Sequence, residues 1–229
     1  MANIVLIHGA YQGGWIWQRV VARLTKAGHT VYAPTLDGCA ERRHALRPGI
    51  NTESHGAEIA ELLFFEDLRD VVLVGTSSGG MVVCKAAELA RERIGRVVFA
   101  DALALLDGEG IPDIVKRPTA VTNDLTTGPS REDAANRMFA SLDYATKAWA
   151  LERYTPHPVA AMQDKVKLSS FWQQKWPATV IWCKQAVNPG QAHQRRAADR
   201  LGAKWHELDT GHYPMLTAAD ELSRLILEG

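Results

Sequence analysis

Two short stretches hold the residue types from which acyl-transfer chemistry is built. The first is Val71-Val72-Leu73-Val74-Gly75-Thr76-Ser77-Ser78-Gly79-Gly80, an apolar run that enters Gly-x-Ser-x-Gly and continues into a segment of helical periodicity. This pattern predicts a nucleophile elbow, with Ser77 held in a strained turn. Gly75 and Gly79 remove the side chains that would crowd the neighbouring strand and helix. The start of the helix leaves amide donors without intrahelical acceptors, so the Ser78 N–H is expected to stabilise an oxyanion. Ser78 also offers a competing hydroxyl, but it lacks the symmetric glycine spacing, and its expected contribution is through the backbone. The second stretch is Thr210-Gly211-His212-Tyr213-Pro214, which follows the apolar run Trp205 to Leu208. A serine hydroxyl is a poor nucleophile until an imidazole within hydrogen-bond reach takes its proton, so Ser77 needs a histidine. His212, just after a late strand, fits that place as the general base. His8, in Ile7-His8-Gly9-Ala10, follows the first strand. Its expected job is structural: it holds the loop that offers the Ala10 amide as the second oxyanion donor. His29, His44, His55, His157, His193 and His206 lack comparable context and are expected to be solvated or packed.

The elements that must position these residues are short apolar runs: Ile4 to Ile7, Thr30 to Ala33, Val71 to Val74, Val97 to Ala100, Thr179 to Trp182 and Trp205 to Leu208. Runs of four to five Val- and Ile-rich residues without strict alternation predict strands buried on both faces, as in a parallel sheet covered by helices. Between them, Trp15 to Ala27 carries apolar residues at helical spacing and stops at Gly28, and Gly79 to Ile94 does the same and stops at Gly95. The expected class is therefore α/β, a mostly parallel central sheet of about six strands flanked by helices. The rhythm breaks between Asp101 and Trp176, where Pro112, Pro118, Pro129, Pro156 and Pro158 punctuate a long stretch with no buried strand pattern. Ser130 to Tyr144 and Tyr144 to Arg153 have helical patterns, with Ser130 as an N-cap ahead of Glu132 and Asp133. The expectation is one domain over residues 1–229 with a small helical lid inserted at about 104–176.

The composition limits the alternatives. A chain of 229 residues with 46% hydrophobic and 23% charged residues can bury a sizeable core, which excludes a disordered or low-complexity protein. Lys plus Arg and Asp plus Glu are 26 each, so no net charge points to nucleic acid or to an anionic membrane. No run approaches a membrane span, and Met1-Ala2-Asn3 leads into the first strand without a signal-peptide pattern, so the expected location is cytoplasmic. Cys39, Cys84 and Cys183 are widely spaced, without a CxxC pair or a zinc pattern, and are expected to be buried thiols. No metal or organic cofactor is expected.

The chain resembles the α/β-hydrolase superfamily, in the branch of the plant methylesterases, the hydroxynitrile lyases and their compact bacterial relatives. The resemblance spans nearly the whole chain. It is carried by Val5-Leu6-Ile7-His8-Gly9-Ala10 with Gly13-Gly14-Trp15-Ile16-Trp17, by Tyr32-Ala33-Pro34-Thr35-Leu36-Asp37-Gly38, by the Gly75 to Gly80 elbow, by Phe99-Ala100-Asp101-Ala102 and by Thr210-Gly211-His212. It implies Ser77 as nucleophile, His212 as base, and the amides of Ala10 and Ser78 as oxyanion hole. Relatives usually carry an aspartate after the strand that here reads Thr179-Val180-Ile181-Trp182-Cys183, yet Lys184-Gln185-Ala186-Val187-Asn188-Pro189 follows, with no carboxylate. Asp101, at the end of the preceding strand, is the preferred substitute for orienting the imidazole. The alternatives are a dyad oriented by Gln185 or Asn188, or a carboxylate from the lid base, Asp107 or Glu109; Asp209 is a poorer candidate. Tyr11, Trp15, Trp17, Trp149, Tyr154 and Trp172 are either pocket-lining aromatics for a bulky acyl group or packed core. The hydroxynitrile lyases carry a lysine after the catalytic histidine, where this chain has Tyr213, which argues against cyanohydrin chemistry. The expected activity is hydrolysis of a small carboxylic ester, with amide, carbamate or lactone hydrolysis as the alternative on the same residues. A lyase or a non-catalytic descendant of hydrolases ranks lower. The expected partner is a small-molecule ester, with no nucleic acid or membrane, in a monomer or homodimer.

Overall fold

The computed structural model describes residues 1–115 and 120–228; Pro118 of the insertion lies outside the described residues. In chain order the strands are β1 (Asn3–Ile7), β2 (Thr30–Tyr32), β3 (Val71–Ser77) and β4 (Ile94–Ala102). Three short ones follow within the insertion, β5 (Val121–Thr122), β6 (Thr126–Gly128) and β7 (His157–Pro158), and then β8 (Ala178–Cys183) and β9 (Lys204–Leu208). The long strands form one six-stranded sheet in the order β2-β1-β3-β4-β8-β9, with every neighbouring pair parallel. This is the sheet that the six apolar runs predict.

Alternation along these strands sends successive side chains to opposite faces. Val5, Ile7, Leu73, Val97, Phe99 and Val180 join one apolar cluster, whereas Ile4, Leu6, Val74, Val98 and Ile181 join another. Each face therefore needs its own helical cover. The first cluster takes Ile59 and Leu63 of α2 (Thr52–Phe65), Met81 and Val83 of α3 (Gly79–Leu89) and residues of a later helix; the second takes Val20 and Leu24 of α1 (Gln18–Lys26) and residues of the C-terminal helix. Helix α1 stops where expected, at Gly28, whose φ of 87° suits glycine. Helix α2 is capped by Asn51, whose side chain accepts from the Ser54 amide at 2.9 Å.

The second expected glycine stop is corrected. Helix α3 ends at Leu89, and Gly95 lies inside β4. There it answers to packing, because a Cβ at Gly95 would lie 2.1 Å from Oδ1 of Asp70.

The insertion between β4 and β8 carries α4 (Ile111–Ile114), α5 (Arg131–Asp133), α6 (Tyr144–Arg153) and α7 (Val159–Gln163). Helix α6 forms at the expected residues. Ser130 accepts from the Asp133 amide at 3.0 Å as the expected cap, but the helix it starts passes into a wide π turn over Ala134–Met138. Beside these helices the insertion holds short strands that the sequence reading did not mark: β5, β6 and β7 form a small antiparallel sheet. Strands of two or three residues are too short to leave a readable period in the sequence. The chain closes with α8 (Gln191–Leu201), α9 (Pro214–Thr217) and α10 (Ala219–Leu227), of which α8 covers the first face of the sheet and α10 the second. Cys39, Cys84 and Cys183 are all buried free thiols. No helix among the described residues is long and apolar enough to cross a membrane.

Candidate active site

Strand β3 delivers Ser77 to the carboxyl edge of the sheet with φ at 50°, a left-handed conformation that costs a serine on the order of 1 kcal/mol or more. The glycines around it permit the strain. A Cβ on Gly75 would lie 2.7 Å from Cγ2 of Val83, one on Gly79 would lie 2.6 Å from the His8 carbonyl oxygen, and one on Gly9 would lie 2.6 Å from Cβ of Ser77. Only hydrogen at these three positions lets β1, the elbow and α3 approach so closely. Ser78 opens α3, so its amide belongs to the first turn, where no intrahelical acceptor exists.

The adjoining strand is irregular at the same level. Thr76 pairs with Ala100 and Ser77 with Ala102, so Asp101 is the extra residue of a β-bulge, with φ at 48°. A bulge re-aims the side chain it carries. Asp101 is fully buried, and its Oδ2 accepts from Nδ1 of His212 at 2.5 Å. Its Oδ1 accepts from the Cys183 backbone amide at 3.2 Å and from Nε2 of Gln194 at 2.5 Å. The end of β8, where the resemblance led one to look for a carboxylate, thus supplies a backbone donor to a carboxylate carried by the next strand. His212 follows β9 and borders, together with Ser77, a cavity of about 420 Å³.

The first loop is fixed by His8. Its ring is fully buried, Nε2 accepts from the Leu36 amide at 3.0 Å, and Nδ1 donates to the Gly9 carbonyl at 2.8 Å. Only the neutral ring can make both bonds, and burial pushes its pKa down to about 4. Gln12, also buried, accepts from the Gly9 amide at 3.3 Å through Oε1. Ala10, Tyr11 and Gln12 then line the cavity beside Ser77.

The aromatic residues separate. Tyr11 lines the cavity; Trp15, Trp17, Trp149, Tyr154 and Trp172 are not among its lining residues. Trp15 and Trp149 pack edge to face at 5.1 Å, Trp17 is fully buried in the core, Tyr154 donates to the Pro129 carbonyl at 2.6 Å, and Trp172 donates to the Leu105 carbonyl at 2.9 Å. Their apolar area is used between elements. The insertion instead presents Asp133, Arg137, Met138 and Ser141, and the β8 loop presents Gln185, Val187 and Asn188. None of these stands in a motif, which is why the sequence did not mark them as lining.

The other carboxylates considered for the acid are engaged elsewhere. Asp107 accepts from the Leu168 amide at 2.8 Å. Glu109 makes a two-pronged ion pair with Arg196 at 2.6 and 2.8 Å; burial raises its carboxyl, and Arg196 and the Leu106 amide outweigh that and hold it below its usual range. Asp209 lies beside Lys184 and Gln185. Gln194 was not anticipated at all. The readable signal was a polar residue on the Ala-rich buried stripe of α8, beside Ala197 and Ala198.

The model of the alpha/beta hydrolase family matches residues 4–225. Among curated proteins, the chain is 39% identical over 111 residues to the carbendazim hydrolyzing esterase of Nocardioides sp. (strain SG-4G), a match covering 48% of this chain and 46% of that protein, so it spans about half of either. It is 26% identical to methylesterase 3 of Arabidopsis thaliana over 257 residues, covering 99% of this chain and 95% of the relative. Among solved structures, an extracellular alpha/beta-hydrolase from a Paenibacillus species superposes with a TM-score of 0.85 at 21% identity, over 100% of this chain and 98% of the other. Polyneuridine aldehyde esterase superposes with a TM-score of 0.76 at 22% identity, over 100% and 98%.

Proposed function

The chain belongs to the alpha/beta hydrolase family, and from that membership we propose that it is a serine esterase that hydrolyses a small carboxylic ester through an acyl-enzyme on Ser77. The observation that carries this reading is the 2.5 Å bond from Nδ1 of His212 to Oδ2 of Asp101, with His212 and Ser77 on one cavity. With Nδ1 committed as donor, Nε2 is the nitrogen left to take the serine proton. As Ser77 Oγ attacks the ester carbonyl carbon, His212 accepts the hydroxyl proton. The buried Asp101 carboxylate stabilises the imidazolium that forms, and the Ala10 and Ser78 amides face the developing oxyanion. His212 then returns the proton to the leaving alcohol and activates water to release the acid.

The relatives named esterase and methylesterase support an ester substrate. The cavity is of a size for a small molecule, with apolar walls from Tyr11, Met138 and Val187 and a few polar groups to orient it. The test is p-nitrophenyl acetate hydrolysis under burst conditions, with labelling by a serine-directed phosphonate. Burst and labelling in the native chain, both abolished in Ser77→Ala and in His212→Ala, are expected. Turnover that survives Ser77→Ala would remove the acyl-enzyme from the mechanism.

A further inference from the structure

Asp101 is a fully buried carboxylate with three donors, and two of them converge on the same oxygen. We infer that Gln194 is a positioning residue for the catalytic acid: its side-chain amide holds Oδ1 of Asp101 so that Oδ2 remains directed at Nδ1 of His212. The inference rests on the reading of Asp101 as the acid.

The orientation of the amide is dictated by chemistry. Turned the other way, the Gln194 oxygen would face a carboxylate oxygen, so the nitrogen must point at Asp101. The cost is visible on the other side, where Oε1 of Gln194 is buried without a hydrogen-bond partner among the described residues. A buried, half-satisfied amide is a poor way to fill a core position on a helix face shared with His193, Ala197 and Ala198. It is a good way to serve a buried anion, since a neutral donor spreads the charge of the carboxylate without competing with the imidazole for it.

The second donor on Oδ1 also settles what Gln194 adds. The Cys183 amide sits at 3.2 Å and belongs to the end of a strand, whereas the Gln194 donor sits at 2.5 Å and approaches from α8. Together they clamp one oxygen from two elements and fix the rotation of the carboxylate plane. With Gln194 removed, Oδ1 keeps only the longer bond. The carboxylate plane is then held less firmly, which lowers kcat, while the pair with His212 persists and its less-shared charge favours the imidazolium more strongly.

The experiment compares the native chain with Gln194→Met, which keeps the length and loses the donor, and with Gln194→Glu, which keeps the shape and puts a second ionisable group against Asp101. Each is assayed for kcat, KM and the pH dependence of kcat/KM on p-nitrophenyl acetate. Gln194→Met is expected to lower kcat by about tenfold or more, as loss of a hydrogen bond to a charged group does. KM should stay within about threefold and the acid limb of kcat/KM should move to higher pH. In Gln194→Glu the two buried carboxyls share one proton, which again gives Oδ1 of Asp101 a donor, so its limb is expected to return toward the native one. An acid limb of folded Gln194→Met that superposes on the native one overturns the inference whatever the turnover, because a merely structural residue changes the amount of active enzyme and not its titration. Should Gln194→Met fail to fold, Gln194→Leu, which also lacks the donor, is measured in its place and judged by the same limb. Asp101→Asn separates the two levels: full activity there removes Asp101 as the acid, while inactivity there beside a native profile in the variant that lacks the donor removes only the role of Gln194.

Discussion

Asp101→Asn changes one atom and, by hydrogen-bond accounting, reverses the tautomer of His212. Two donors, the Cys183 amide and Nε2 of Gln194, point at the position of Oδ1. Asparagine must therefore place its oxygen there, which turns its NH2 toward Nδ1 of His212. That nitrogen must then accept, so the ring carries its proton on Nε2 and can no longer receive one from Ser77. Loss of the correct tautomer costs about ten-thousandfold in kcat in a serine protease triad with the same relation of acid to imidazole, equivalent to about 5 kcal/mol of barrier. Stability should change little, since every donor at the site keeps an acceptor and a buried charge is removed. The assay is kcat for p-nitrophenyl acetate, with a thermal melt to establish folding and the imidazole N–H resonances to establish the tautomer. A folded Asp101→Asn enzyme that keeps a tenth or more of native turnover refutes the reasoning, and a proton still on Nδ1 shows which step in it failed.

Three further outcomes are expected. His8 is neutral in the folded chain, with its pKa pushed from 6.5 down to about 4 by burial, so between those values the unfolded chain binds a proton that the native one refuses. Stability is therefore full above pH 6.5 and falls as pH drops toward 4, by about 3 kcal/mol from His8 alone, with His193, also pushed down to about 4 mainly by burial, adding in the same direction. Urea unfolding at pH 7 and 4.5 measures it, and equal stabilities would contradict it. Gly79→Ala drives a methyl to within 2.6 Å of the His8 carbonyl oxygen and should cost about 1–3 kcal/mol or more, read as a lower urea midpoint with reduced activity. Trp149→Ala removes an edge-to-face partner of Trp15 outside the cavity. It should lower stability by about 1–2 kcal/mol while KM for p-nitrophenyl acetate stays within about twofold; a large rise in KM would place Trp149 against the substrate after all.

The parts of this protein legible in its sequence are those whose physical cause is local. Short Val- and Ile-rich runs without alternation fit strands of a covered parallel sheet, and the four that show it are its central strands β1, β3, β4 and β8, while β2 and β9 at the edges are only partly buried. Gly-x-Ser-x-Gly announces its own turn, because the spacing of its glycines around Ser77 is itself local, even though the contact that requires Gly79 is with His8 of the first strand's loop. Gly95 shows the limit of such reading. A glycine after a helical pattern suggests a stop, but this one answers to Asp70, just before the start of the neighbouring strand.

What the chain itself determined is therefore the inventory: the sheet, the elbow, a histidine after the last strand, and an aspartate ending the strand beside the elbow. What only the tertiary structure decided is how these meet. The bulge that turns Asp101 out of the β3–β4 register is a property of a pair of strands, and it is an oxygen of Asp101, rather than one of Asp107, Glu109 or Asp209, that meets Nδ1 of His212. Gln194 reaches the same carboxylate from a helix 93 residues further along the chain. Periodicity records which face of an element is buried. It does not record which buried groups touch, because hydrogen bonds between distant elements are set by packing distances that no single segment encodes.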